Sequence, residues 1–238
     1  MTSSASTESA SVDSPPAQAL RVRVKLWDGP TRVTHWGLVA LIGFSWWAAK
    51  NNHLEWHRLS GYAVAALLIF RLTWGFVGSA NARFAGFVKG PGAVLAYVRG
   101  LPERRHAAIA GHNPLGGWSV IAILSTLVAQ IVTGLFAVDV DGMESGPLSD
   151  RVDFDTGRRF AEWHHWSFWG LEALVALHVT AVIFYLVYKR VDLLGPMITG
   201  RAWLGEDPGL RFASPLRAML TALFAALIAW WLAGGLKL

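Results

Sequence analysis

Apolar residues gather along the chain into five long runs, at about 33–49, 57–78, 116–138, 164–187 and 216–235, with polar stretches between them. Each run is near the ~20 residues a helix needs to cross a hydrocarbon layer of about 30 Å. Only NNHLEWH separates the first two, which predicts a tight hairpin between antiparallel helices. Residues 79–115 form a longer connection in which RFAGFVKGPGAVLAYVRGL reads as an amphipathic segment lying in the membrane interface. A polar loop is expected at about 139–163, and a second connection begins at YKRVDLLGPMITG. Residues 1–20 have neither the basic start nor the apolar centre of a secretory signal and read as a disordered tail. The pattern predicts an all-α membrane protein. Residues 21–202 would form an antiparallel four-helix bundle, and 203–238 a linker and a fifth, C-terminal span.

The polar positions inside the runs carry the chemistry. A helix turns about 100° per residue, so His164 and His178 lie on one stripe of the fourth run, about 21 Å apart, whereas His165 falls on another side. The same spacing separates His57 from Arg71 on the second run, and Gly61 lies one turn after His57, where a missing side chain admits a flat ligand or another helix. His35 stands near the start of the first run. Gln130 is the one strongly polar residue of the third run and suits an interhelical hydrogen bond. His112, Asn113 and Pro114 precede that run, and Asn113 is of the type that caps helices. Glu172 sits within the fourth run, either as a packing residue or as a proton relay. His53 and His106 read as interfacial residues, and Trp166 and Trp169 as part of an aromatic belt.

Charge fixes an orientation. Arg21, Arg23, Lys25 and Arg32 precede the first run; Arg83, Lys89, Arg99, Arg104 and Arg105 lie between the second and third; Lys189, Arg190, Arg201, Arg211 and Arg217 lie between the fourth and fifth. The remaining long loop holds Asp139, Asp141, Glu144, Asp150, Asp153, Asp155 and Glu162 against Arg151, Arg158 and Arg159. The positive-inside rule then puts the N-terminus in the cytoplasm and the acidic loop outside, with the C-terminus outside if the fifth run spans. The net charge of +5 is therefore a statement of topology and not of nucleic-acid binding. With 53% hydrophobic and only 16% charged residues, composition agrees. There is no cysteine, which excludes disulfides, thiolate-held iron–sulfur clusters and covalently attached c-type haem.

With orientation set, His35 and His178 share the cytoplasmic depth, and His57 and His164 the outer depth. Two ligands per depth are too few for a typical structural or catalytic zinc site but suit the axial positions of b haem. The sequence thus predicts two b haems, each held by a histidine pair, forming an electron path across the membrane.

The stretches WDGPTRVTHW, WHRLSGY, FRLTWGFVG, GHNPLGGW, ALHVTAV and PMITGRA resemble the bacterial cytochrome b561 and nickel-hydrogenase b-type cytochrome family, over about residues 24–202. That resemblance implies a four-helix core with two b haems on His35, His57, His164 and His178. It implies exchange with membrane quinone, ubiquinone or menaquinone, and a periplasmic c-type cytochrome or a hydrogenase as partner at the bacterial inner membrane. Against the family pattern, His165 stands where an acid is frequent and Glu172 where an apolar residue is usual. Arg71 suits a haem propionate or snorkels to the headgroups, and His112 and Asn113 suit a quinone or propionate. Two other roles follow from relatives: a superoxide:quinone oxidoreductase, drawing its anion with Arg151, Arg158, Arg159 and Lys50, and a haem-bearing membrane anchor of a larger redox complex.

Overall fold

The computed structural model describes residues 22–103, 110–139 and 144–237. The expectations for the tail, Arg21, Arg104, Arg105, His106 and Asp141 lie outside the described residues. Ten elements follow in order: β1 Val22–Lys25, α1 Gly29–Lys50, α2 Leu54–Val77, α3 Phe84–Phe87, α4 Pro91–Arg99, α5 Pro114–Phe136, α6 Phe154–Val187, α7 Leu194–Thr199, β2 Arg201–Leu204 and α8 Pro215–Ala233. Three of the long helices start from one local recipe, a polar cap with proline as the first or second helical residue. Asp28 accepts from the Thr31 amide (2.8 Å), Asn113 from Gly116 and Ser214 from Arg217, each satisfying an amide that the helix leaves without a partner.

Among the described residues, α2, α5, α6 and α8 are long and apolar enough to cross a membrane. α1 is equally long but falls short in apolarity, because Arg32, His35, Ser45 and Lys50 interrupt it. α6 departs most from expectation. It begins at Phe154, ten residues before the apolar run, so its 34 residues reach about 51 Å. The acidic loop is therefore shorter than expected and its last part is helix. Asp153 explains the early start: its carboxylate accepts from both the amide and the hydroxyl of Thr156 and caps the helix there. The first connection is also tighter than expected, because α2 opens at Leu54 and leaves only Asn51–His53 as the turn.

α1 packs along α2 and α5 along α6, as two antiparallel hairpins; α2 touches α5 as well, whereas α1 and α6 do not pack closely. Between the hairpins, Leu38, Val64, Leu68, Leu124, Leu127 and Leu171 form a buried aliphatic layer halfway along the bundle. Leu171 lies seven residues from both His164 and His178, so the layer separates the two histidine levels. α8 lies against the other side of α2. Thr221, Ala225 and Ala229, spaced by one turn, are its buried stripe, and small side chains at this spacing let helices approach closely. Ala225 joins Phe70, Trp74 and Ala82 in a second core cluster.

At one end of the bundle β1 pairs antiparallel with β2, Arg23 opposite Trp203, a ribbon that the hydropathy pattern did not reveal. Gly200 links α7 to this ribbon at a φ of 80°, where a side chain is strained, and its carbonyl accepts from the amides of Leu26 and Trp27. The chain entering α1 and the chain leaving α6 are thereby fastened together. Arg32 donates to the Ile198 carbonyl (2.6 Å) and the Trp36 indole to that of Met197 (3.2 Å), which extends the fastening into α7.

Candidate functional site

The fold brings the intramembrane histidines into two pairs. The rings of His35 on α1 and His178 on α6 have centroids 6.4 Å apart with their planes at 53°. Those of His57 on α2 and His164 on α6 are 5.9 Å apart at 86°. An imidazole nitrogen binds a first-row metal at about 2.0 Å and the ring centre lies about 1.1 Å behind it, so two imidazoles on opposite sides of one ion have centroids about 6 Å apart. Both pairs have that separation. Each joins one helix of the first hairpin to α6 across the interval where the hairpins part.

The second pair is also oriented by its surroundings. His57 Nδ1 lies 2.9 Å from the Ser45 carbonyl oxygen, so its N–H donates there and Nε2 is left with the lone pair. His164 Nδ1 does the same toward the Gln130 carbonyl at 2.9 Å. A backbone acceptor on the far nitrogen fixes both tautomer and ring angle of a metal-binding histidine. The side-chain amide of Gln130 lies 3.0 Å from His164 Nε2, and the Ser167 hydroxyl donates to its carbonyl oxygen. Gln130 thus makes the interhelical hydrogen bond expected of it, and its partner is the nitrogen a metal would take. Gly134 is a site residue that reading the sequence missed: a Cβ there would lie 2.9 Å from His164 Cε1. A Cβ on Gly61, by contrast, would meet nothing within 4 Å, in keeping with room for a flat group beside His57.

At the ribbon end, Arg71 does not snorkel. Only 7% exposed, it donates to the Ala82 carbonyl (3.3 Å) and its guanidinium lies over the Phe84 ring. Asp28 is its electrostatic counterpart, while the Asp28 carboxylate itself is taken up by the Thr31 amide and by the Trp74 indole at 3.0 Å. His112 packs between Trp27 and Phe87, with ring centroids 4.9 and 4.4 Å away, and its buried Nδ1 has no partner among the described residues. Burial, and then the charges of Arg71 and His178, pull its pKa from 6.5 down to about 3. A buried guanidinium that makes one hydrogen bond among the described residues and an orphaned imidazole nitrogen suit an anionic group beside the His35 and His178 pair. The side-chain oxygen of Asn113 caps α5, accepting from the Gly116 amide.

The remaining candidates lie elsewhere. His165 is exposed and accepts from the Trp169 indole (3.0 Å), so the neighbour of His164 points out of the bundle. Glu172 is exposed too, with no hydrogen bond or ion pair among the described residues. His53 lies against Trp47 at the turn between α1 and α2, ring centroids 5.5 Å apart and planes tilted by 34°.

Residues 26–200 match the family described as prokaryotic cytochrome b561. The chain belongs to that family. Proteins of the cytochrome b561 family are membrane-bound b-type cytochromes that bind haem and transfer electrons. The four histidines, Gly61, Arg71, Gln130 and Gly134 all fall inside the matched span, and α8 falls outside it. No curated protein and no solved structure matches the chain.

Proposed function

We propose that the protein carries electrons across the bacterial inner membrane between the quinone pool and a redox partner outside the cytoplasm, such as a c-type cytochrome. In this reading residues 21–202 hold two b haems, one between His35 and His178 and one between His57 and His164. Bound there, haem iron supplies one-electron chemistry without an open coordination position, which suits outer-sphere transfer. The observation that carries the reading is the matched separation of two histidine pairs at two levels of one bundle. Ser45 and Gln130 hold the ligand rings, and Arg71 with His112 receives the anionic edge of the group at the ribbon end. Ubiquinone or menaquinone would exchange electrons with the pair nearest its binding site.

In the same reading α1 crosses the membrane together with α2, α5 and α6, the N-terminus is cytoplasmic and the C-terminus, after α8, is periplasmic. The acidic loop offers less free charge to a basic partner than its composition suggests. Glu144 pairs with Arg58 (2.9 Å), Asp150 lies near Arg151 and Lys237, and Asp153 caps α6. Of the cations in the superoxide reading, Arg151 donates to the Gly235 carbonyl and keeps its charge at the surface. An anchor role in a larger complex gains no specific support from the packing of α8 on α2.

The test is haem stoichiometry in the purified protein with each histidine changed to alanine. Wild type is expected to bind two low-spin b haems. His35→Ala and His178→Ala should lose one of them, and His57→Ala and His164→Ala the other. A protein with a single haem insensitive to His164 and His178 overturns the pairing.

A further inference from the structure

Glu172 follows Leu171, which belongs to the aliphatic layer halfway along the bundle, so its carboxyl stands midway through a helix long and apolar enough to span. Ionisable residues at that depth nearly always face a bundle interior or a partner, because hydrocarbon offers no hydrogen bonds. Glu172 does neither among the described residues. It is exposed, and it belongs to a face roughly 120° around α6 from His164. Arg158, Glu162, His165, Trp169 and Ala176 share that face, all exposed or, for Trp169, 57% exposed. At its loop-proximal end a groove of about 350 Å³ is lined by Arg158, Glu162, His165 and Trp166.

This face is complementary to itself. Flanking charges give every copy of the chain the same orientation in a membrane, so two copies related by a two-fold axis along the membrane normal meet at equal depth. Arg158 and Glu162, one turn apart, then form a pair on each side of the axis. Glu172 meets Glu172 of the second copy, and two carboxyls that meet are held by one proton between them. Ala176 and Thr180, both small and exposed, continue toward the other end and permit close approach of the helices. An unrelated helix would need its own matching set at every one of these depths.

We propose that α6 is the contact helix of a parallel homodimer, with reciprocal Arg158 and Glu162 pairs at the rim and a hydrogen-bonded pair of Glu172 carboxyls at mid-depth. The dimer removes the uncovered carboxyl from lipid and leaves the histidine stripe of α6 facing its own bundle. It does not depend on the haem reading.

The chain's lack of cysteine makes the test direct. Single Ala176→Cys and His165→Cys variants of the full-length protein, oxidised mildly in native membranes, are expected to give disulfide-linked dimers. Leu177→Cys, 64% exposed on another side of the same helix, should stay monomeric. Helical circular dichroism and the thermal unfolding midpoint of each variant serve as the folding check. In lipid nanodiscs, Glu172→Leu should weaken dimerisation about tenfold, the loss of one intramembrane hydrogen bond. Glu172→Gln, which can still bond its counterpart, should retain the dimer. Equal cross-linking at Ala176→Cys and Leu177→Cys overturns the proposal, as does a cross-linked product whose mass shows a different protein on this face.

Discussion

Changing Gly134 to alanine is expected to weaken haem binding at one of the two sites while leaving the bundle intact. The added Cβ would sit 2.9 Å from His164 Cε1 and 3.1 Å from Nδ1. Ordinary contact between such atoms is about 3.5–4.0 Å, so the ring must retreat by roughly 0.5–1 Å. Metal sites tolerate ligand displacements of only about 0.2 Å. The retreat also stretches the bond from His164 Nδ1 to the Gln130 carbonyl, worth about 1 kcal/mol, and frees the ring to rotate. Disturbing a group that orients a metal ligand typically lowers affinity about 10–100-fold. Alanine is the better helix former by up to about 1 kcal/mol, so the α5 backbone has no reason to weaken. Haem titration of the Gly134→Ala apoprotein, followed by reduced-minus-oxidised spectra, should show the site of His57 and His164 filling only at higher haem concentration. The site of His35 and His178 should fill as in wild type. Two haems bound with unchanged affinity and spectrum would refute the claim that Gly134 sets the position of His164.

Asp28→Ala removes a helix cap and leaves the Trp74 indole N–H, on a residue 1% exposed, without an acceptor. Together these should cost about 2–4 kcal/mol, measured as a lower midpoint of thermal unfolding in detergent. Ala225→Leu forces a branched side chain into the buried stripe between α8 and α2; protease cleavage before α8 should speed up while the haem spectra stay unchanged. His112 stays neutral in the folded protein down to about pH 3, whereas the unfolded chain takes up its proton below about 6.5. The folded state therefore binds fewer protons in that interval, and stability is full above pH 6.5 and declines as pH falls toward 3. His112→Phe should flatten that decline relative to wild type in parallel acid titrations of the unfolding midpoint.

What could be read from the sequence followed from periodicity. Hydropathy located the long helices, and the 14-residue interval put His164 and His178 on one stripe because a helix fixes side-chain direction from spacing alone. The first ten residues of α6 escaped notice because they are charged; a helix that runs beyond the membrane loses its hydropathy signal but keeps its cap at Asp153. β1 and β2 escaped because pairing between strands some 180 residues apart leaves no local mark. Ser45 reaches His57 Nδ1 with both its carbonyl and its hydroxyl, a contact between two helices that spacing along the chain does not reveal, and Gly134 acts through what it lacks. Arg71 was visible as an oddity, but only the tertiary contacts with Ala82, Phe84 and Asp28 decide that it stays inside.

The aliphatic layer of Leu38, Val64, Leu68, Leu124, Leu127 and Leu171 has a bioenergetic consequence. Its side chains offer no donor or acceptor, so the layer itself holds no file of water and gives hydrogen ions no relay. Electrons can tunnel past leucine; hydrogen ions cannot hop through it. Each electron that traverses the protein would then move charge without compensation, working with or against the membrane potential at about 2.3 kcal/mol per 100 mV. Such a cytochrome acts as a small current source in the coupling membrane.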